Sequence, residues 1–229
     1  MWAMVYWHGR FVIMNIEEII TVLQKHTKAF APTLTDQIIV EFGKDPFLIL
    51  ISCLLSLRAK DTTTIHVCRA LFAQVRTPKE LVELPRPVLE KIIYKTGFYK
   101  KKAKVLQQVS QSLIDNFKGK VPRDAKTLLS ITGIGPKTAA LVMSVAYGKP
   151  AICVDTHVHR ISNRLGLVKT RTVEQTDEAL QKVLPRKYWG VWNGLLVLWG
   201  QNVCAPLSPK CSLCSIRQWC GRVGVKKCR

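Results

Sequence analysis

Four cysteines near the C-terminus, Cys204, Cys211, Cys214 and Cys220, constrain this chain more than any other feature. They follow the spacing C-x6-C-x2-C-x5-C within seventeen residues. Four thiols in so short a stretch read first as a metal or cluster site. A pair of disulfides is the plain alternative. Zinc generally takes two C-x2-C knuckles set well apart, and the run holds a single C-x2-C. A [4Fe–4S] cube takes one thiolate per iron, and a compact run with unequal gaps suits it.

The remaining cysteines are scattered. Cys53, Cys68 and Cys153 lie in apolar stretches and read as buried free thiols. Cys228 is assigned no role. This usage fits a reducing compartment. At 229 residues the chain is long enough for one large domain or two small ones. A hydrophobic content of 48% suffices for a substantial core. Lys and Arg total 35 against 15 Asp and Glu, a formal charge of +20. That excess goes far beyond what solubility needs and points to a polyanionic partner, most simply nucleic acid. A generally basic proteome is the bland alternative. No apolar run approaches the roughly 18 residues of a membrane span.

The hydrophobic pattern is helical almost throughout, with no sustained alternation of period two. Helices are predicted over 15–30, 46–57, 62–74, 78–84, 87–96, 100–117, 124–130, 136–147, 155–165, 173–183 and 189–200, divided by Pro and Gly. Asn15 is placed to cap the first, with Glu18 at the reciprocal position. Asp61 is placed to cap the third. Residues 1–13 are aromatic-rich but lack the basic start and cleavage site of a secretory signal. They are set apart as an extension, a candidate for disorder, with Met14 a candidate natural start.

The segment Leu129-Ser-Ile-Thr-Gly-Ile-Gly-Pro-Lys-Thr-Ala-Ala140 is the second strong signal. It reads as two helices joined at Gly133-Ile134-Gly135. The glycines are free to take positive φ and to let another backbone come close. Ile134 is expected to tuck between the helices. Outward amide groups at the start of the second helix then form a phosphate site. An ordinary tight helix–helix turn is the alternative. Lys137 falls in the first turn of that helix. There the positive end of the macrodipole disfavours the ammonium and favours the free amine of a nucleophile. A lysine that only contacts phosphate would look the same.

Val154-Asp155-Thr156-His157 opens the next amphipathic helix, with Asp155 as its natural N-cap. A capping carboxylate is expected to stay ionised, suited to stabilising a developing cation and poor at accepting a proton. A purely structural cap accounts for it equally. His157 and His159 read as packing or surface residues rather than metal ligands.

With these residues in view, the chain from about Asn15 to Cys220 resembles endonuclease III, the iron–sulfur branch of the helix–hairpin–helix DNA glycosylases. The carriers are Leu54-Leu-Ser56, Gly97-Phe-Tyr99, the Thr132–Ala139 hairpin, Val154-Asp-Thr-His157 and the four cysteines. The resemblance implies an all-α fold of two helical domains flanking a DNA cleft. A six-helix barrel carrying the helix–hairpin–helix is expected over 39–149. A cluster domain is expected from 14–38 with 150–229. It further implies a [4Fe–4S] cluster on Cys204, Cys211, Cys214 and Cys220. The partner is double-stranded DNA with damaged bases or abasic sites, with no membrane and a monomeric chain. The activity implied is excision of oxidised pyrimidines followed by β-elimination at the abasic site. Lys137 is then the amine nucleophile and Asp155 the stabiliser of the cationic sugar. Ser56, Arg58, Phe98, Gly133, Gly135, Thr138, His157 and Lys210 form the expected DNA-binding set. Such an enzyme is cytoplasmic and nucleoid-associated in a prokaryote, nuclear or mitochondrial in a eukaryote.

Two positions depart from the family pattern. Arg58 stands where glutamine is usual, filling the hole left by the flipped nucleotide, and its guanidinium matches the acceptors of an orphaned guanine. Phe98 replaces a common leucine wedge and offers better stacking. Lys210 is the single basic residue between Cys204 and Cys211, with Arg217 and Arg222 nearby to share phosphate contacts. Two other readings stand beside the bifunctional one. One is a monofunctional mismatch glycosylase, which typically lacks a lysine at the position of Lys137. The other is a non-catalytic DNA-binding module.

Overall fold

The computed structural model describes the backbone of residues 2–7 and 10–14 and the whole of residues 15–229. Two strands, β1 (Trp2–Trp7) and β2 (Arg10–Asn15), are followed by twelve α-helices among the described residues. These are α1 (Ile16–Thr27), α2 (Leu34–Phe42), α3 (Pro46–Ser56), α4 (Asp61–Phe72), α5 (Pro78–Glu83), α6 (Arg86–Ile93), α7 (Tyr99–Phe117), α8 (Ala125–Ser130), α9 (Pro136–Leu141), α10 (Thr156–Leu165), α11 (Val173–Val183) and α12 (Trp189–Asn202). The strands pair antiparallel from Trp2 opposite Asn15 to Trp7 opposite Arg10. The stretch set apart above as an extension thus contributes a two-stranded ribbon whose second strand runs into α1. Beyond the ribbon the architecture is all-α. No described helix is long and apolar enough to cross a membrane.

The chain divides into two compact units, residues 1–31 with 150–229, and residues 32–149. A division at 38/39 would cut α2, which is held whole in the second unit by its contacts with α3 and α4. Thr33 caps α2 and forms a capping box with Asp36, each such cap being worth about 1 kcal/mol.

In the second unit α3 is apolar on every side, and residues 47–55 are all buried. A helix without a polar face must be surrounded, and α2, α4, α7 and α9 pack around it. Asp45 caps it, accepting from the amides of Phe47 and Leu48, and Pro46 occupies the first turn, where its missing N–H is not needed. The long α7 lies along α5 and α6. The helix α4 begins one residue earlier than predicted. Its N-cap is Lys60, and Asp61 sits in the first turn rather than at the cap.

In the first unit α1, α10, α11 and α12 enclose a core built on Ile16, Ile20, Leu23, Val158, Leu196 and the fully buried Trp192. Asn15 caps α1 with its side-chain oxygen on the amides of Glu17 and Glu18. Phe30 packs against Trp199, ring centroids 6.0 Å apart.

Candidate active site and metal centre

The hairpin joins α8 to α9. Asp124 caps α8 through the Thr127 amide at 2.7 Å. The chain then turns through Gly133, whose φ of +102° lies outside the range most side chains accept. A Cβ at Gly133 would stand 2.8 Å from Cγ1 of Val105 and 3.4 Å from Cγ2 of Val109. Glycine is therefore required there by conformation and by the closeness of α7. Ile134 is buried as expected. Gly135 differs from expectation, since its φ is −96° and it caps α9 in extended conformation. A Cβ there would meet no described atom within 4 Å, so packing does not demand this glycine.

Lys137, in the first turn of α9, is half-buried. Thr138 beside it is buried, and its hydroxyl accepts from the Cys53 thiol of α3 at 3.6 Å. Its side chain therefore faces the core, leaving its backbone as the part suited to an external partner. Burial pushes the Cys53 thiol up, against the opposing charge of Lys137 nearby. Past Leu141 the helix widens into a π turn over Val142–Ala146, a distortion common near functional sites.

Two exposed loops of the same unit carry Arg58 and Phe98. Ser56 ends α3 with its hydroxyl donating to the Cys53 carbonyl at 2.8 Å. Arg58 follows with φ of +55°, and Phe98 has φ of +48°. The Arg58 guanidinium lies 5.8 Å from the centroid of the Phe98 ring. Phe98 is 64% exposed, unusual for so large an apolar side chain.

In the first unit Asp155 caps α10. Its Oδ1 accepts from the amides of His157 at 2.8 Å and Val158 at 2.9 Å. His157 and His159 are both engaged within the unit. Nδ1 of His157 lies 3.1 Å from Nη2 of Arg160, and Nδ1 of His159 lies 2.6 Å from the Thr176 hydroxyl. The helix α12 crosses so close that a Cβ at Gly200 would fall 2.2 Å from Nδ1 of His157 and 2.8 Å from Nη2 of Arg160.

The cysteine loop follows α12 and is gripped by arginines from α10. Arg160 donates to the Cys204 carbonyl from Nη2 at 2.9 Å and from Nε at 3.2 Å. Arg164 donates to the Cys204 sulfur at 3.3 Å and to the carbonyls of Ala205 and Pro206 at 2.7 and 2.6 Å. The amide of Arg222 points at the Cys220 sulfur, 3.4 Å away. The C-terminal tail folds back, with Ser212 donating to the Arg229 carbonyl and Arg229 to the Pro209 carbonyl. This brings Cys228 beside Cys211.

All four cysteines of the loop are free thiols, so the disulfide alternative is not realised. Burial raises Cys211, Cys214 and Cys220, the last to about 11, and each feels the charge of others in the set. Among the described residues no three His, Cys, Asp or Glu side chains converge on one point as a single-ion site requires. A four-iron cube takes one thiolate per iron, which spreads its ligands more widely. Trp199 supplies an independent sign of fit. Its Nε1 is buried without an acceptor of ordinary hydrogen-bond geometry among the described residues, and it faces the Cys214 sulfur, where it favours the thiolate. A buried donor beside a thiol that must become a thiolate suits a metal-bound sulfur. Lys210 and Arg217 are exposed on the same loop.

The sequence matches the family described as HhH-GPD superfamily base excision DNA repair protein over residues 51–186. This span holds the hairpin, Lys137 and Asp155. The chain belongs to that superfamily. Endonuclease III of Thermotoga maritima is 45% identical over 176 residues, 77% of this chain and 83% of that one. Among solved structures, a non-covalent endonuclease III–DNA complex matches with a TM-score of 0.78 at 33% identity, covering 90% of this chain and 95% of the other. A trapped endonuclease III–DNA covalent intermediate, the estranged-adenine complex, matches with a TM-score of 0.75 at 32% identity, covering 90% and 96%. The chain is thus an endonuclease III homologue, a DNA glycosylase and abasic-site lyase of base excision repair. Arg160, Arg164, Trp199 and Gly200 support its loop and were not singled out from the sequence. The string Trp199-Gly-Gln-Asn-Val-Cys204 was the available signal.

Proposed function

We propose that this enzyme excises oxidised pyrimidines from double-stranded DNA and cleaves the resulting abasic strand through Lys137. The observation that carries this reading is the position of Lys137 in the first turn of α9, directly after the Gly133–Gly135 turn. Helix N-terminal amides attract phosphate, and the open approach at Gly135 suits a DNA backbone. The same macrodipole end disfavours the lysine's charge and so favours its free amine.

The Lys137 amine attacks C1′ of the flipped nucleotide, and the base departs with the electrons of the glycosidic bond. Loss of the ring-oxygen bond gives a Schiff base between Nζ and C1′. That cation acidifies the C2′ proton, and its removal expels the 3′ phosphate by β-elimination. Asp155, fixed by two amides on Oδ1, stabilises the cationic sugar. Arg58 fills the space beside the orphaned base, Phe98 wedges the stack, and Lys210 with Arg217 contacts phosphate. Ser56 and His157 complete the DNA-facing set, with Gly133, Gly135 and the backbone of Thr138 on phosphate.

Cys204, Cys211, Cys214 and Cys220 are the residues that would hold a [4Fe–4S] cluster. When bound, it supplies a rigid cross-link of the loop and a redox-responsive centre rather than hydrolytic chemistry. The enzyme acts wherever its host keeps DNA, in the nucleoid of a prokaryote or in the nucleus or mitochondrion of a eukaryote.

Borohydride trapping tests the reading, on a labelled duplex carrying thymine glycol opposite guanine. A covalent adduct is expected with the wild type and none with Lys137→Ala. Base release with no adduct in the wild type would mean that a water, not Lys137, attacks C1′.

A further inference from the structure

The two left-handed residues that face each other, Arg58 and Phe98, sit on separate loops, and one side chain holds both loops. The ammonium of Lys102, in the first turns of α7, donates to the Leu55 carbonyl at 2.7 Å and to the Thr96 carbonyl at 2.9 Å. Leu55 lies three residues before Arg58, and Thr96 two residues before Phe98. The Lys102 amide also donates to the Phe98 carbonyl at 2.9 Å. Lys102 therefore grips the Gly97–Phe98 turn from both sides while it ties off the end of α3.

Three physical facts make this grip more than a local cap. The last carbonyls of α3 have no partner within their own helix, and a cation there is favoured by the macrodipole. A non-glycine residue with positive φ persists only where its surroundings fix it, and here there are two. Phe98 is largely exposed, and the Arg58–Phe98 contact is an open cation–π pair. Exposed pairs of this kind are weak, so the contact by itself does not lock the loops. The half-buried Lys102, with three backbone bonds, does.

We propose that Lys102 is a positioning residue that pre-organises Arg58 and Phe98 as a single two-pronged probe for opening the base stack. It touches neither substrate nor reacting atoms. This rests on the reading of Arg58 and Phe98 as DNA-inserting residues. Flipping a damaged base requires unstacking, whereas a pre-formed abasic site has no base to extract. Loss of Lys102 should therefore fall on the lesion that still carries its base.

The experiment compares Lys102→Met with wild type on two duplexes, thymine glycol opposite guanine and a pre-formed abasic site opposite guanine. Single-turnover base release from thymine glycol is expected to fall at least about tenfold, because extrusion of the nucleotide is what is lost. Strand cleavage at the abasic site is expected to fall less than about threefold. The fluorescence rise of 2-aminopurine placed beside the lesion, which reports unstacking, should diminish in parallel. Equal losses on both duplexes would overturn the proposal. So would an unchanged fluorescence rise. A second arm keeps the result decisive if Lys102→Met proves unstable. Lys102→Arg, which keeps cation and donors, should preserve the wild-type ratio between the two duplexes. Adding Lys102→Met to Arg58→Ala/Phe98→Ala should cost nothing further, and a further loss would refute action through the two loops. Failure of wild type on both duplexes would instead refute the functional reading itself.

Discussion

Arg164 donates a charge-assisted hydrogen bond from Nη1 to the sulfur of Cys204 at 3.3 Å. The same guanidinium holds the two carbonyls that follow, of Ala205 and Pro206. A cation on a ligand sulfur withdraws electron density, and cluster potentials respond to such bonds and to local charge. With the proposed [4Fe–4S] cluster bound at these cysteines, Arg164→Leu is expected to lower its potential and to speed loss of the absorbance near ~400 nm in air, since a more electron-rich cluster is oxidised more easily. Film voltammetry and a bleaching time course check this. An unchanged potential would mean that Arg164 supports the loop through its carbonyl bonds alone.

Gly133 is placed by two separate demands, a φ of +102° and the 2.8 Å approach of Val105. Gly133→Ala meets both at once and is expected to destabilise the fold by about 1–3 kcal/mol. Gly135→Ala meets neither, and its stability should change by less than about 0.5 kcal/mol. Affinity for a duplex with an abasic-site analogue should drop in both, because a methyl at Gly135 would stand where phosphate is proposed to approach. Urea denaturation and fluorescence anisotropy separate the two effects. Equal destabilisation by both substitutions would refute this division of roles.

The helices, the hairpin and the cysteine loop were legible because each rests on local pattern. Asn15 and Asp155 are caps read from the sequence and found in the structure, whereas the caps Asp45 and Asp124 emerged only with the structure. The helix predicted over 173–183 has the bounds observed, Val173–Val183. The helix α2 was missed although Thr33 and Asp36 form a capping box, because its apolar stripe is short. Asp61 was taken for the cap of α4, yet a carboxylate is comfortable both at the cap and in the first turn, so composition cannot choose between them. The positive φ of Arg58 and Phe98 was out of reach, since neither residue type favours it and only tertiary bonds impose it. Arg160, Arg164 and Gly200 were invisible for the same reason. Their roles come from α10 and α12 lying against a loop forty residues along the chain from α10.

Burial brings the Lys102 ammonium down to about 8 from the usual 10.5, against the pull of the two carbonyls it donates to. In the unfolded chain the same lysine keeps its proton to about 10.5. Between those values the unfolded state binds more protons, so this group's contribution to stability rises with pH. Below about 8 both states are protonated and the contribution is flat, with the desolvation cost of the charge fully present. The stability of wild type relative to Lys102→Met should therefore improve as pH rises from 8 to 10, since other groups cancel in the difference. Denaturation midpoints at pH 7.5, 8.5 and 10 test the sign. A relative stability that stays flat across this range would show that the carbonyl bonds keep the ammonium charged throughout, and one that falls would show that they hold its proton more tightly than the unfolded chain does.

Asp155 has one observed duty and one proposed, and a single substitution can part them. As N-cap it accepts from the amides of His157 and Val158, and asparagine caps a helix about as well as aspartate. As the proposed stabiliser of a cationic sugar it needs a negative charge, which asparagine lacks. Asp155→Asn should therefore leave the melting temperature within a few degrees of wild type, because the cap persists. Base excision should fall by about a hundredfold or more, the scale of a lost electrostatic contact to the transition state. Asp155→Ala should lose both, with about 1 kcal/mol or more taken from stability. Single-turnover kinetics on thymine glycol DNA and calorimetry on the three proteins read these effects separately. Near-normal excision in Asp155→Asn would leave Asp155 a structural cap only, and would move the charge-stabilising duty to another group.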